Sequence, residues 1–173
     1  IMTLRGDVPR DLPAGTEPWK SFKYCAQLVR FIKKFGESGG HPDRRGFGIG
    51  VAGFPEGHPE TPNRMVEMDM LKAKVDAGAT RAITQSFFEN DRYFRYLDLV
   101  RSRGIEVPVV PGILPVQNFK QTRNFAARCG ASVPDWLARR FEGLDDDPAT
   151  RKLIAAAVAA EQVLDLVDQG VTD

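Results

Sequence analysis

Cysteine is nearly absent from this chain. The two that occur, Cys25 and Cys129, lie in amphipathic helical patterns with no Cys or His at metal-ligand spacing, which excludes a disulfide framework and fits a reducing, cytoplasmic setting. No Asn-x-Ser/Thr sequon occurs. Charge of one sign is not in excess: 24 Lys and Arg against 23 Asp and Glu leave a formal +1, mixed along the chain, so neither a nucleic-acid partner nor a membrane surface is expected. Long apolar runs are missing too. The longest, Leu153 to Ala160, has eight residues, far short of the about 20 that cross a bilayer. With 42% hydrophobic and 27% charged residues over 173 positions, disorder, collagen and coiled coil are excluded.

What is present is a regular alternation. Six glycines, Gly36, Gly78, Gly104, Gly130, Gly143 and Gly170, each follow a segment of helical spacing, as expected where a helix ends on a residue free to take positive φ. The first helix carries Phe22, Leu28, Phe31, Ile32 and Phe35, the second Met65, Met68, Leu71 and Val75, the third Tyr93, Phe94, Leu97 and Val100. The last repeats Leu153, Ala157, Ala160, Leu164 and Val167, so each helix offers one apolar stripe to be covered. The short apolar runs Ile1 to Leu4, Phe47 to Phe54, Arg81 to Gln85 and Val107 to Leu114 read as buried parallel strands.

Strand followed by helix, four times over, predicts an α/β fold of right-handed βαβ units. Two architectures carry such units, an open doubly wound sheet and a (β/α)8 barrel. Gly46, Gly48, Gly50 and Gly53 lie within a strand instead of opening a helix, which is poor for a dinucleotide phosphate loop and suits small residues making room inside a barrel strand. The reading adopted is a partial (β/α)8 TIM barrel of about four consecutive βα units, with extra helices near the C-terminus. Residues 1–173 then form a single incomplete barrel segment whose first strands and last strand lie outside it. The chain opens at Ile1 inside an apolar stretch, as a fragment would.

In such a barrel the loops leaving the C-terminal strand ends form the active face. That face includes Arg5 and Asp7 around Gly6, which either bracket a ligand or make an ordinary turn with a surface ion pair. It also includes Phe54-Pro55-Glu56-Gly57-His58-Pro59-Glu60, a rigid loop holding the one imidazole at a strand end. No second His or Cys stands near His58, so no metal is expected there. Glu67 and Lys74 share a helix face about two turns apart, suited to a long cofactor or simply to solvent. Gln85 projects an amide at a strand end, and Gln121 and Phe125 place an amide and a ring on one helix face. Asp147 before Pro148 reads as a helix cap. Covalent catalysis is unsupported, since no Ser, Thr or Cys has a base in its sequence context.

Taken in order, Leu4-Arg5-Gly6-Asp7, Pro55 to Glu60, Lys72 to Ala79, Arg81 to Gln85, Pro111 to Val116 and Phe141 to Asp147 make the chain resemble bacterial methylenetetrahydrofolate reductases nearly end to end. The resemblance implies a flavoprotein barrel of one-carbon metabolism and methionine biosynthesis. Its FAD is reduced by NADH or NADPH and passes hydride to 5,10-methylenetetrahydrofolate, giving 5-methyltetrahydrofolate. It further implies cofactor contacts at Arg5, Gly6, Asp7, Cys25, Phe54, His58, Glu67, Met70 and Lys74. Substrate contacts fall at Asp7, Gln85, Gln121 and Phe125, with Asp7 as the catalytic carboxylate beside both flavin and pterin. Phe54 stands where tyrosine is frequent in the family. The glutamate expected to protonate the folate lies upstream of Ile1, so the isolated segment should turn over poorly. A small-molecule folate partner and a homo-oligomer are also implied. The competing functions are a non-catalytic flavin- or folate-binding module and a flavin-free barrel acting on a phosphorylated substrate.

Overall fold

The computed structural model describes residues 1–173 except Arg5, Asp7, Pro9, Arg10, residues 18–20, Arg44 and Asp173. Four strands, β1 (Met2–Thr3), β2 (Gly50–Gly53), β3 (Arg81–Ser86) and β4 (Val109–Gly112), form one parallel sheet in the order β1-β2-β3-β4. Met2 pairs with Gly50, Gly50 with Arg81, and Ala82 with Val109. Each strand lies beside the one that precedes it in the chain, with no reversal of order. This is the progression of consecutive barrel staves, whereas a doubly wound sheet turns back at a switch point.

Helices α1 (Cys25–Phe35), α2 (Arg64–Asp76) and α3 (Asn90–Ser102) occupy the crossovers, and α4 (Phe119–Cys129), α5 (Asp135–Phe141) and α6 (Pro148–Asp168) follow β4. Side-chain caps set several starts. Asn63 accepts from the Met65 and Val66 amides, Asn118 from the Gln121 amide at 2.9 Å, and Asp147 from the Thr150 amide at 3.0 Å. The Thr150 hydrogen bonds hold the Asp147 carboxyl below its ordinary range, so the acidic run before α6 is a cap, as its sequence indicates.

Five of the six punctuating glycines have positive φ, and Gly36 does not. Gly36 is right-handed helical at φ −60, and the chain continues through a π-type turn, Gly36–Gly40, with the positive φ displaced to Gly39. The Phe35 ring lies over the small residues of this turn, where a Cβ on Gly40 would stand 2.4 Å from it.

Two hydrophobic clusters form. The larger gathers Val29, Ile49, Val51, Met68, Leu71, Tyr96 and Val100 around the sheet and α1 to α3. The smaller joins Phe88 and Val116 to Ala126, Leu137, Phe141, Ala155 and Val158 among α4 to α6. Two expected stripes are corrected here. In α1 the inward residues are Cys25, Ala26, Val29 and Ile32, while Phe31 and Phe35 are exposed. In α6 the predicted row is the outer one, with Leu153, Leu164 and Val167 exposed at 72%, 62% and 55%. Its buried row is Ala155, Val158 and Leu166. Long-range polar contacts chose this face: the Asn90 side-chain amide donates to the Gln162 carbonyl at 3.0 Å, and the Gln162 amide to the Phe87 carbonyl at 2.9 Å. Among the described residues no helix is long and apolar enough to cross a membrane.

Candidate functional site

The β2–α2 loop is the best-built feature at the C-terminal end of the sheet. Arg64, in the first turn of α2, donates to the Phe54 carbonyl at 2.9 Å, the Pro55 carbonyl at 3.0 Å and Glu67 Oε2 at 2.9 Å. The His58 amide donates to the same carboxylate oxygen at 3.1 Å. The loop is thus drawn back onto its own helix. The Phe54 and His58 rings meet edge to face with centroids 4.5 Å apart. The Glu60 amide donates to His58 Nδ1 at 3.1 Å, which puts the proton of the neutral imidazole on Nε2.

Glu67 is buried, and its Oε1 has no hydrogen-bond partner among the described residues. Two turns further on, Lys74 Nζ donates to the Ala52 carbonyl at 3.2 Å. Burial holds the Lys74 ammonium below the ordinary lysine value, against the opposing pull of Cys25 and Glu67. Cys25 Sγ in turn donates to the Thr3 carbonyl at 3.4 Å, and the Thr3 hydroxyl to the Gly50 carbonyl at 2.8 Å. Cys25, Phe54, His58, Glu67 and Lys74 therefore lie along one connected wall, at the ends of β1 and β2 and the inner face of α2. An orphaned carboxylate oxygen that can accept a hydroxyl, and a half-buried ammonium that favours an anion, are chemically the pair that a hydroxylated, phosphate-bearing cofactor needs.

The other expected positions are less connected. Met70 lies between Glu67 and Lys74 in α2 but is exposed. Gly6 has φ +77 with open space around it, while Arg5 and Asp7 lie outside the described residues. Gln85 and Ser86 form the floor of a shallow crevice. Phe54, Pro55, Glu56 and Gly57 make one wall of it, and Cys129, Gly130 and Ala131 the other. Gln121 is exposed and Phe125 is 39% exposed on α4. No hydrogen bond or ring contact among the described residues joins either side chain to Gln85 or Phe54.

Sequence reasoning missed Arg64, Tyr96 and Ser132. Arg64 carried a readable signal, its i, i+3 spacing to Glu67. Tyr96 and Ser132 carried none, because their partners Gly53 and Glu56 are distant in sequence. Glu56, part of the same loop motif, faces Ser132 and not His58.

A profile of the family described as Methylenetetrahydrofolate reductase matches residues 1–173. The chain belongs to that family. The 5,10-methylenetetrahydrofolate reductases of Pectobacterium carotovorum subsp. carotovorum and Escherichia coli (strain K12) are each 43% identical to it over 173 residues, covering 100% of this chain and 53% of theirs. Methylenetetrahydrofolate reductase 2 of Saccharomyces cerevisiae is 36% identical over 173 residues, covering 98% of this chain and 28% of its own. The chain thus spans about half the length of the bacterial methylenetetrahydrofolate reductases it matches. Among solved structures, an uncharacterized protein from Clostridium thermocellum, described as binding two copies of 5-methyl-5,6,7,8-tetrahydrofolic acid, superposes with a TM-score of 0.52. It covers 84% of this chain and 49% of its own at 16% identity, a likeness of fold.

Proposed function

We propose that the protein to which this chain belongs reduces 5,10-methylenetetrahydrofolate to 5-methyltetrahydrofolate, with NADH or NADPH as electron donor and FAD as carrier. The observation that carries this reading is 43% identity to bacterial reductases over the whole chain. The wall running from Cys25 to Lys74 supports it, because its donor set suits a phosphate-bearing cofactor. FAD, when bound, supplies hydride acceptance from the nicotinamide and hydride donation to the folate methylene carbon.

The protein's own share is binding, orientation and electrostatics. Lys74 offers a cation to the cofactor phosphates, and Glu67 Oε1 accepts a hydroxyl. Cys25 and Met70 would border the same cofactor, and the crossed rings of Phe54 and His58 would shield it from water at the strand end. Arg5 and Gly6 let the backbone approach the flavin, Gly6 having no side chain to obstruct it. Asp7, by the family resemblance, would set a carboxylate beside flavin and pterin, where its charge would disfavour an anionic reduced ring and so tune its potential. Gln85 and Gln121 pair with the edge of the pterin, and Phe125 stacks alternately on nicotinamide or folate.

Residues 1–173 act here as one incomplete barrel segment, the remaining strands lying outside it, in a cytoplasmic homo-oligomer. The test is an NAD(P)H oxidation assay, with menadione and then methylenetetrahydrofolate as acceptor, on the flavin-loaded protein with its complete barrel. Reduction of both acceptors is expected. A yellow protein inert with both would establish a binding module instead, and a colourless one would favour a flavin-free barrel.

A further inference from the structure

The two walls of the crevice above Gln85 come from opposite sides of the proposed reaction. One is the loop that holds Phe54 and His58, on the cofactor side. The other is the C-terminal end of α4, the helix that carries Gln121 and Phe125, on the substrate side. The Glu56 side chain bridges them. Glu56 Oε1 accepts the Ser132 backbone N–H at 3.1 Å, and Oε2 accepts the Ser132 hydroxyl, across 76 positions of sequence. Arg92 Nε of α3 stands 4.0 Å from the same carboxylate, whose side chain is only 11% exposed.

Around this bridge the backbones touch. A Cβ on Gly130, the left-handed residue closing α4, would stand 3.0 Å from the Gly57 carbonyl and 3.2 Å from the Pro59 ring. The Ala131 amide donates back to the Ala126 carbonyl at 2.9 Å, so the end of α4 is tied to its own body. Phe125 lies five residues, about one and a half turns or roughly 7.5 Å, up the helix from Gly130. A tilt of about 10° there displaces the ring by on the order of 1 Å.

We propose that Glu56 is a positioning residue that fixes the end of α4 against the β2–α2 loop and thereby sets the register of Gln121 and Phe125 against that loop. The proposal rests on the functional reading above, in which these two walls must hold two reactants in line. Displacements of about 1 Å between reactants can cost on the order of 100-fold in rate, so one bridging carboxylate has leverage on the reaction without touching substrate.

The test uses the flavin-loaded protein with its complete barrel. Glu56→Ala is expected to raise the folate KM about tenfold, with flavin content and absorbance unchanged. Glu56→Gln, which keeps an acceptor for the Ser132 amide, should recover to within about threefold of wild type. Hydrogen exchange at the Ser132 amide should quicken in the alanine variant, while exchange in β2 and β3 stays the same. A wild-type KM in Glu56→Ala, or a glutamine variant as defective as the alanine one, overturns the proposal. Should Glu56→Ala fail to fold, Ser132→Ala, which removes the hydroxyl and keeps the amide bond, should raise the folate KM by about threefold with exchange at that amide little changed, and a wild-type KM there overturns the proposal. A wild-type protein that binds flavin but never reduces folate defeats the functional reading instead, and unchanged Ser132 exchange in Glu56→Ala then defeats the bridge itself.

Discussion

A methyl group placed on Gly53 would stand 2.4 Å from the Tyr96 hydroxyl, so the last residue of β2 and a ring on α3 meet where the strand gives way to the site loop. Gly53→Ala should therefore destabilise the fold by about 1–3 kcal/mol in urea unfolding, the usual scale of core overpacking. Because the obstructing atom is the hydroxyl, Gly53→Ala with Tyr96→Phe should recover part of that loss. A double variant no more stable than Gly53→Ala would show that the strain lies elsewhere.

Tyr96→Phe alone is expected to stay within about 1 kcal/mol of wild type, since the hydroxyl is buried with no partner of good geometry to lose. Its pH behaviour should be distinctive. Burial, followed by the nearby Glu67 charge, raises the Tyr96 phenol well above its ordinary value, while the Phe54 amide and Arg64 oppose this weakly. The unfolded chain then loses that proton first. Stability is full below the ordinary tyrosine value and falls as pH climbs above it. Denaturation midpoints measured through the alkaline range should show this decline in wild type and a shallower one in Tyr96→Phe.

For Lys74 the sign is reversed. Burial depresses its folded value, so between that value and the ordinary lysine value the folded state holds fewer protons than the unfolded chain, and stability rises with pH across the window. A bound anion would restore the proton. Flavin affinity should accordingly be greatest where Lys74 is charged and should weaken as pH rises through its folded value. Fluorescence titration of FAD from neutral pH upward tests this against Lys74→Met, in which binding should be weaker and the pH slope lost. An identical slope in the variant would assign the titration to another group.

Arg64 holds two loop carbonyls and the Glu67 carboxylate at once. Its replacement by Ala leaves a buried carboxylate with the His58 amide as remaining donor, and a loss of about 1–3 kcal/mol is expected, allowing for the partial exposure of the guanidinium. Glu67→Gln in the same protein should cost less when Arg64 is already gone. Strict additivity in that double-mutant cycle would mean the two side chains do not act together.

The sheet ends on β1 and β4 among the described residues. Unpaired edges of a parallel sheet invite pairing with another chain, so residues 1–173 expressed alone should associate and turn over folate poorly. Size-exclusion chromatography with an activity assay decides it, and an active monomer of this length would contradict the incomplete-barrel reading.

Much of this architecture is legible in the sequence alone, because the signals are local. Gly78 and Gly130 mark helix ends by their own φ preference, Asp147 caps the helix that starts at the following proline, and the apolar runs at 81–85 and 107–114 are too short to be helices. The spacing of Glu67 and Lys74 likewise placed both on one helix face. The inner face of α6 was not legible. Leu153, Leu164 and Val167 make the stronger apolar row, yet the row of Ala155, Val158 and Leu166 is buried because Asn90, Gln162 and Phe87 lock the helix in that rotation.

By itself, then, the sequence determined the alternation of parallel strands and helices, the places where helices start and stop, and the family, since each depends on neighbouring residues or on short ordered motifs. Only the tertiary structure decided that Glu56 answers to Ser132, that Tyr96 fills the space above Gly53, and that Arg64 gathers the site loop. These are contacts between groups whose own surroundings are ordinary, and they acquire a partner only when crossovers bring distant segments together.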